Sequence, residues 1–249
     1  APLQLMMNIA MTLLTYYYCK GNLTYAFTKL DIFIIVLILA GGLFIGQFVS
    51  MAISPALMRK YETKKVYNLF SGLSAVAFAL LFVVYLIAPT DLSKISFVVI
   101  DGILFFGTGM GFGGVNVCQS VMISDCIDYE EYHHGYRPDG IFFSGQSFIT
   151  KFSAGISSII SGYVFDAVGY TDVNINKMNE AIANGANFAT DYTSYSKAMW
   201  FLISIPPAIG MLLAVIPTLK YEIDKKSHDK MLEELVKRHK QNNQGDTNG

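Results

Sequence analysis

The sequence predicts an all-α, polytopic membrane protein. Hydrophobic residues make up 53% of the chain and charged residues only 15%, whereas about 25% of residues are charged in an average soluble protein. Because so few charges cannot cover a globular surface, the apolar residues must face lipid. Long windows with almost no charge alternate with short charged segments. Judged against the ~20 residues that cross a hydrocarbon core, they predict six transmembrane spans, at residues 3–19, 31–54, 66–88, 95–124, 140–166 and 198–219, followed by a tail at residues 220–249.

The first three spans come from windows without any Asp, Glu, Lys or Arg, namely Ala1–Cys19, Ile32–Met58 and Val66–Thr90. A basic hairpin, PALMRKYETKK at Pro55–Lys65, joins the second span to the third. With the amino terminus inside, the inner segments hold twelve Lys and Arg residues and the outer segments five. Since short loops rich in these residues stay cytoplasmic, we expect both termini in the cytoplasm and the chain in the plasma or inner membrane.

Tyrosines crowd the outer end of the first span, at Tyr16, Tyr17, Tyr18 and Tyr25. Tyrosine is enriched at the membrane interface, so an anchoring belt is one interpretation. The other is that an aromatic face lines a cavity and stacks on a ligand ring, for which Tyr17 and Tyr18 are the candidates.

The fourth span, Ile95–Ser124, contains a single charged residue, Asp101, near its outer end. Its glycine-rich run GTGMGFGG has the spacing of a phosphate-binding loop, but no strand precedes it and it lies in an apolar window, which excludes that interpretation. The pairs Gly107/Gly111 and Gly109/Gly113 instead predict close helix packing.

Acidic residues cluster in SDCIDYEEYHHGYRPDG, which joins the fourth and fifth spans. Asp125, Asp128 and Glu131 are spaced three apart, so on a continuing helix they lie on one side. Such close carboxylates repel one another, and we expect a cation such as Arg137 to compensate. A solvated loop face is the alternative, but Asp125 follows an apolar run directly, and this favours gating or ion coupling.

Lys151 lies near the middle of the fifth span, in a stretch from Gly140 to Phe165 that has no other charge. Its Cα is about 16 Å or more from either end, and a cation at that depth costs roughly 2.5 to 3.5 kcal/mol unless a partner or a watery cavity compensates. We expect Lys151 to line a pathway, where it pairs with an acid outside this chain, binds ligand hydroxyls or holds two halves together. A structural lysine on backbone carbonyls is the alternative. Gln146, about one turn away, is expected to extend the polar face.

The sixth span, Ala198–Leu219, is free of charge, and Pro206 and Pro207 are expected to kink it. The polar outer segment before it, residues 168–197, is predicted to contain a short helix that ends at Gly185.

Several of these motifs together resemble one transporter family. MISDCIDYEEY, GYRPDG, a helix with a central lysine in FITKFSAG, and a span closing in Gly169 and Tyr170 are similar to the carboxy-terminal half of the glycoside-pentoside-hexuronide:cation symporters, the group of the major facilitator superfamily that contains melibiose permease. The similarity runs through all six spans and is tightest between Ser124 and Tyr170.

The resemblance implies a twelve-helix transporter in which this chain is the carboxy-terminal six-helix half. It implies a sugar bound between the halves and a co-transported Na⁺ or H⁺. Lys151 would face the central cavity, with Gln146, Tyr17 and Tyr18 as further substrate or coupling residues. The cytoplasmic gate would comprise Asp125, Asp128, Tyr129, Tyr132, Arg137 and Asp139. In this family the amino-terminal half supplies most of the acids that bind the cation, so the coupling ion is not identified by this chain.

Other function classes are less consistent with the sequence. A net charge of −1 gives no electrostatic basis for nucleic-acid binding. We expect no catalytic residues, metal site or cofactor, because the histidines and cysteines show no ligand spacing. Asp125 and Asp128 as an intramembrane catalytic pair, a non-transporting scaffold, and a symporter of lipid-like or other non-sugar solutes remain alternatives. The chain starts without Met, and we expect it to be part of a longer protein.

Overall fold

The chain is all-helical in the computed structural model, which describes residues 2–221 and 225–246. No strand occurs within these two ranges. In chain order the α-helices are α1 (Pro2–Leu13), α2 (Tyr25–Thr28), α3 (Leu30–Lys60), α4 (Thr63–Ile87), α5 (Ile95–His134), α6 (Asp139–Ala167), α7 (Asp172–Ala183), α8 (Phe188–Asp191), α9 (Thr193–Leu213), α10 (Val215–Thr218) and α11 (Lys225–Asp246).

Five of the described helices are long and apolar enough to cross a membrane: α3, α4, α5, α6 and the continuous unit formed by α9 and α10. The second to sixth predicted spans each coincide with one of them. The predicted first span is α1 extended by a π-helical turn, Leu14–Tyr18, in which the Cys19 N–H donates to the Leu14 carbonyl over 3.1 Å. A π-turn inserts an extra residue into the helix. Here it ends with Tyr17 and Tyr18 both buried, so these two side chains do not form an interfacial belt.

Glycines let α5 pack directly on α3. A Cβ on Gly46 would collide with the Phe106 carbonyl oxygen, and a Cβ on Gly109 would collide with that of Leu43. On another side of α5, a Cβ on Gly111 would collide with Ser74 of α4. The prediction that this glycine run serves close packing is confirmed, and α5 is held between α3 and α4 at backbone distance.

The outer segment covers one end of the bundle, which we name the outer end after the charge distribution. Within α7, Met178 is fully buried, and in α8 Phe188 is 3% exposed. Both belong to the main core, whose largest fully buried side chain is Trp200 of α9. α7 stops two residues before Gly185, whose φ of 103° is in the left-handed region that glycine tolerates.

α5 extends well beyond the membrane thickness at the opposite end. Its 40 residues measure about 60 Å, against a hydrocarbon core of ~30 Å. The acidic segment that follows residue 124 is therefore helical up to His134. The helix stops at Gly135, which has a φ of 75° and donates its N–H to the Glu131 carbonyl.

The packing of α3 on α5 yields a matched pair of glycine variants. A Cβ on Gly42 would lie 2.5 Å from the Gly102 carbonyl oxygen, whereas a Cβ on the neighbouring Gly41 meets nothing within 4 Å. Gly42→Ala should therefore destabilise the bundle by about 1–3 kcal/mol through overpacking. Gly41→Ala should be neutral or slightly stabilising. Thermal unfolding of the purified protein in detergent measures both, and equal melting temperatures would contradict the close approach.

Candidate functional site

Three carboxylates form a row on the extended end of α5, at Asp125, Asp128 and Glu131. Asp128 and Glu131 are only 8% and 7% exposed, which contradicts a solvated loop face. Arg137 compensates two of them, as predicted: its Nη1 donates to Asp128 Oδ1 over 2.9 Å and to Glu131 Oε2 over 2.8 Å. Its Nε donates to Asp139, 3.1 Å from Oδ2. Because Asp139 is the first residue of α6, Arg137 ties the end of α5 to the start of α6.

The surrounding carboxylates stabilise the charged form of the Arg137 guanidinium. The hydrogen bond to Glu131, followed by those to Asp128 and the charge of Asp139, raises the pKa of Arg137 above its ordinary value. The arginine therefore carries its positive charge at neutral pH.

The third carboxylate, Asp125, is bound by residues that follow the last span. The Tyr221 hydroxyl donates to Asp125 Oδ2 over 2.7 Å, and burial together with this bond raises the pKa of Tyr221. The imidazole of His228 in α11 lies between two acids, with Nε2 3.2 Å from Asp128 Oδ2 and 3.5 Å from Asp125 Oδ1. The carboxylates of the acid row are thus bound by Arg137, which lies between α5 and α6, and by residues of the tail.

His228 is the residue that the sequence analysis missed. The spacing of the histidines indicates no metal site, and no cluster of metal-ligating residues occurs in the described part of the chain. The sequence pattern that could have identified it is His228, Met231 and Leu235, whose spacings of three and four place all three on one face of a helix. Met231 and Leu235 are buried, at 6% and 4% exposure, so this face docks α11 on the bundle.

Tyr129 and Tyr132, the two tyrosines expected in the gate, differ in their surroundings. The Tyr132 hydroxyl donates to Glu234 Oε2 of α11 over 2.9 Å. Arg238 reaches back, donating to the Tyr132 carbonyl over 2.9 Å with its guanidinium 4.8 Å from the Tyr132 ring centre. Tyr129 is 42% exposed, and its ring is tilted against that of His133 with 4.1 Å between ring centres, so it lies outside the acid row.

Lys151 is exposed on a face of α6 made of small and polar residues. Alternating spacings of four and three place Gly140, Ser144, Ser147, Gly155, Ser158 and Gly162 in one exposed strip with Lys151, and Phe148, three residues before the lysine, borders this strip. The neighbouring exposed face is apolar throughout, with Ile141, Phe148, Phe152, Ile156, Ile159 and Tyr163. Lys151 therefore lies on a strip of small and polar residues, next to a strip of large apolar residues.

The other coupling candidates lie away from Lys151. Gln146 is half-buried and lines a groove of about 370 Å³ between α5 and α6, together with Gln119. It is not on the face of Lys151, which Ser147 extends instead, because five residues on a helix turn Gln146 to the opposite side. Tyr17 donates its hydroxyl hydrogen to the Pro89 carbonyl, and Tyr18 is buried beside it in the core near the outer end.

The sequence that forms these helices matches a known family. Residues 2–225 match the family of MFS/sugar transport proteins. The chain belongs to this family. It is accordingly a multi-pass membrane protein, and the prediction of a major-facilitator half with an all-α fold is confirmed.

Curated relatives of this MFS/sugar transport chain are transporters. An isoprimeverose transporter of Lactiplantibacillus pentosus is 33% identical over 135 residues, which cover 54% of this chain and 25% of the relative. A candidate 2,3-dihydroxypropane-1-sulfonate exporter of Escherichia coli (strain K12) is 24% identical over 198 residues, 80% of this chain and 37% of the relative. A lactose permease of Lactobacillus helveticus is 28% identical over 115 residues, 45% of this chain and 16% of the relative.

The matched parts of this chain cover only 16% to 37% of the length of those three proteins. No solved structure is significantly similar to the chain.

The docking of α11 is testable with two neighbouring residues. Leu235 is 4% exposed and Val236 is 50% exposed. Leu235→Ala should cost roughly 2 kcal/mol or more of docking energy, which corresponds to about a thirtyfold faster hydrogen exchange of residues 225–246. Val236→Ala should leave that exchange unchanged. Equal protection in both variants would show that the buried face does not hold α11 on α5.

Proposed function

We propose that this chain is the carboxy-terminal half of a cation-coupled sugar symporter that works by alternating access. The proposal includes an amino-terminal six-helix half as partner, Na⁺ or H⁺ as the coupling ion, a location in the cell membrane, and cytoplasmic termini. Membership of the MFS/sugar transport family supports the transport class. The finer statements rest on Lys151 and the acid row.

The position of Lys151 is the observation that carries the proposal. A charged side chain that faces acyl chains at mid-span costs roughly 2.5 to 3.5 kcal/mol, and the exposed apolar strip of α6, with Phe148 and Phe152, is suited to lipid. Small and polar residues such as those around Lys151 suit close packing against another helix or contact with water. The lysine strip would therefore face the partner half and the passage between the halves.

In that position Lys151 would pair with a carboxylate of the partner half. A buried charge is most readily stabilised by an opposite charge, and a pair that opens when a cation occupies the carboxylate has two states. Such a pair would make the conformational equilibrium depend on cation occupancy. Hydrogen bonding from the ammonium to sugar hydroxyls is compatible with the same geometry.

The acid row and Arg137 would form the cytoplasmic gate. Arg137 bridges α5 to Asp139, and Asp139 lies about 18 Å along α6 from Lys151. A shift of α6 that accompanies opening of the Lys151 pair would pull directly on this bridge. Asp125 and Asp128 would then be available to cations of the partner half, and Tyr132 would link the gate to the tail.

A second substrate class is favoured by one relative. The candidate exporter of Escherichia coli is named for an organic sulfonate, which is an anion. Lys151 would serve such a solute as a direct counter-charge. Competition of neutral sugars against sugar acids and sulfonates in one uptake assay would separate the two classes.

Removal of the Lys151 charge tests the proposal. In the complete transporter, reconstituted in vesicles with an imposed Na⁺ or H⁺ gradient, Lys151→Ala should abolish accumulation while expression stays near normal. Lys151→Arg keeps the charge and should retain part of the uptake, and Phe152→Ala, on the adjacent apolar strip, should retain most of it. Normal gradient-driven accumulation by Lys151→Ala would remove the coupling role.

Removal of the Arg137 bridge tests the gate. Arg137→Ala should slow turnover about tenfold, equivalent to ~1.4 kcal/mol on the barrier, with little change in apparent substrate affinity. Lys65→Ala is the matched control, since Lys65 is a cation on the same side whose exposed pair with Glu62, at 3.3 Å, contributes little. If the two variants turn over at the wild-type rate, Arg137 has no gating role.

A further inference from the structure

Asp101 is a buried acid that the proposed mechanism does not use. It lies on α5 near the outer end and is 0% exposed. Neither of its carboxylate oxygens has a hydrogen-bond partner among residues 2–221 and 225–246. An acid inside a membrane span is a functional candidate by default, because its desolvation must be compensated.

Other unpartnered polar atoms lie in the same part of the core. Both Tyr17 and Tyr18 belong to the same core cluster as Phe105 of α5. Tyr18 lines a cavity of about 130 Å³ with Trp200 and with Phe105, which is one turn from Asp101 on α5. In the described chain, the buried side-chain atoms without a hydrogen-bond partner include Tyr18 Oη, Asp101 Oδ1 and Oδ2, and Trp200 Nε1.

Among residues 2–221 and 225–246, no described ion pair provides Asp101 with a compensating cation. Tyr17 donates its hydrogen to the Pro89 carbonyl, and Tyr85 of α4 stacks on Trp200 at 5.7 Å between ring centres. Of the charged residues just before α5, Lys94 is exposed and paired with Asp91 at 3.0 Å. The cation nearest in sequence is thus engaged with another acid at the surface.

The outer segment closes this region from water. Met178 and Ile182 of α7 pack into the core cluster that also contains Tyr17, Tyr18 and Trp200. An ionised carboxylate enclosed in this way would lack both water and a counter-ion, which costs several kcal/mol. Uptake of a proton removes that cost, since the neutral acid is far less penalised by an apolar environment.

We propose that Asp101 is a proton-binding site and carries a proton while the outer end of the bundle is closed around it. Protonation turns one carboxylate oxygen into a donor, and the nearby Tyr18 hydroxyl can both donate and accept. The site is separate from Lys151 and from the acid row, which lies on the same helix about 36 Å away, from residue 101 to residue 125.

One consequence rests on the proposed function. If alternating access opens the outer end, water reaches Asp101 and the proton is released, so that proton binding becomes linked to the closed conformation. Proton binding itself does not depend on which solute is transported.

Infrared spectroscopy of the complete transporter in lipid, at neutral pH, tests the site without a transport assay. The wild type should show the C=O stretch of a protonated carboxylic acid, shifted in D₂O. Asp101→Asn should lose that band. Asp91→Asn, which removes the exposed acid of the same region, should retain it. A missing band in the wild type, or one that survives Asp101→Asn, would overturn the proposal.

Stability provides a second measurement on the same variants. Asn is a neutral isostere of protonated Asp, so Asp101→Asn should fold and melt within a few degrees of the wild type at neutral pH. Failure of this variant to fold would also overturn the proposal, because it would mean that the negative charge is needed. Because neither readout involves uptake, absence of sugar transport would contradict the symporter proposal without affecting the proposal of a proton-binding site at Asp101.

Discussion

Exclusion of water from the helical bundle is the constraint on which the other features depend. Charged groups that lie within the spans or are buried beside them have to be compensated with little help from solvent, and three different arrangements occur. The acid row is compensated by hydrogen-bonded partners, with Arg137 and His228 both within 3.2 Å of Asp128. Lys151 is left on an open strip of α6, where we propose that a partner half compensates it. Asp101 has no partner in the described chain, and a bound proton is the remaining way to neutralise it.

α5 physically joins two of these charged sites, Asp101 and the acid row. It carries Asp101 near one end and the acid row at the other, and the glycines between them bring its backbone against α3 and α4. Close backbone packing over many turns makes a helix move as a rigid unit with its neighbours, since packed interfaces have discrete arrangements and do not deform continuously. In the proposed mechanism, a displacement at the acid row would therefore be transmitted along α5 toward the outer core. The proposed proton site and the proposed gate lie at opposite ends of the same helix.

The tail contributes to the site through an amphipathic helix. Met231 and Leu235 bury one face of α11, and this places His228 between Asp125 and Asp128. In the proposed gate the same carboxylates bind cations of the partner half. Both sets of cations would then compete for two acids, so that docking of α11 and closure of the gate would be coupled. Tyr132, bonded to Glu234 and Arg238, adds a second contact between the tail and the gate.

The sequence by itself determined the membrane class, the approximate spans, the spacing of the acid row and the choice of Arg137 as its cation, because hydropathy windows and helical periodicity are local properties of the chain. It did not predict that the acidic segment is buried helix, since Asp128 meets His228, which lies a hundred positions later in the chain. His228 was missed for the same reason. Gln146 was assigned to the face of Lys151 by proximity in sequence, whereas the helix turns it toward α5. Only the tertiary structure decided which polar groups meet, because water exclusion and pairing are set by neighbours in space.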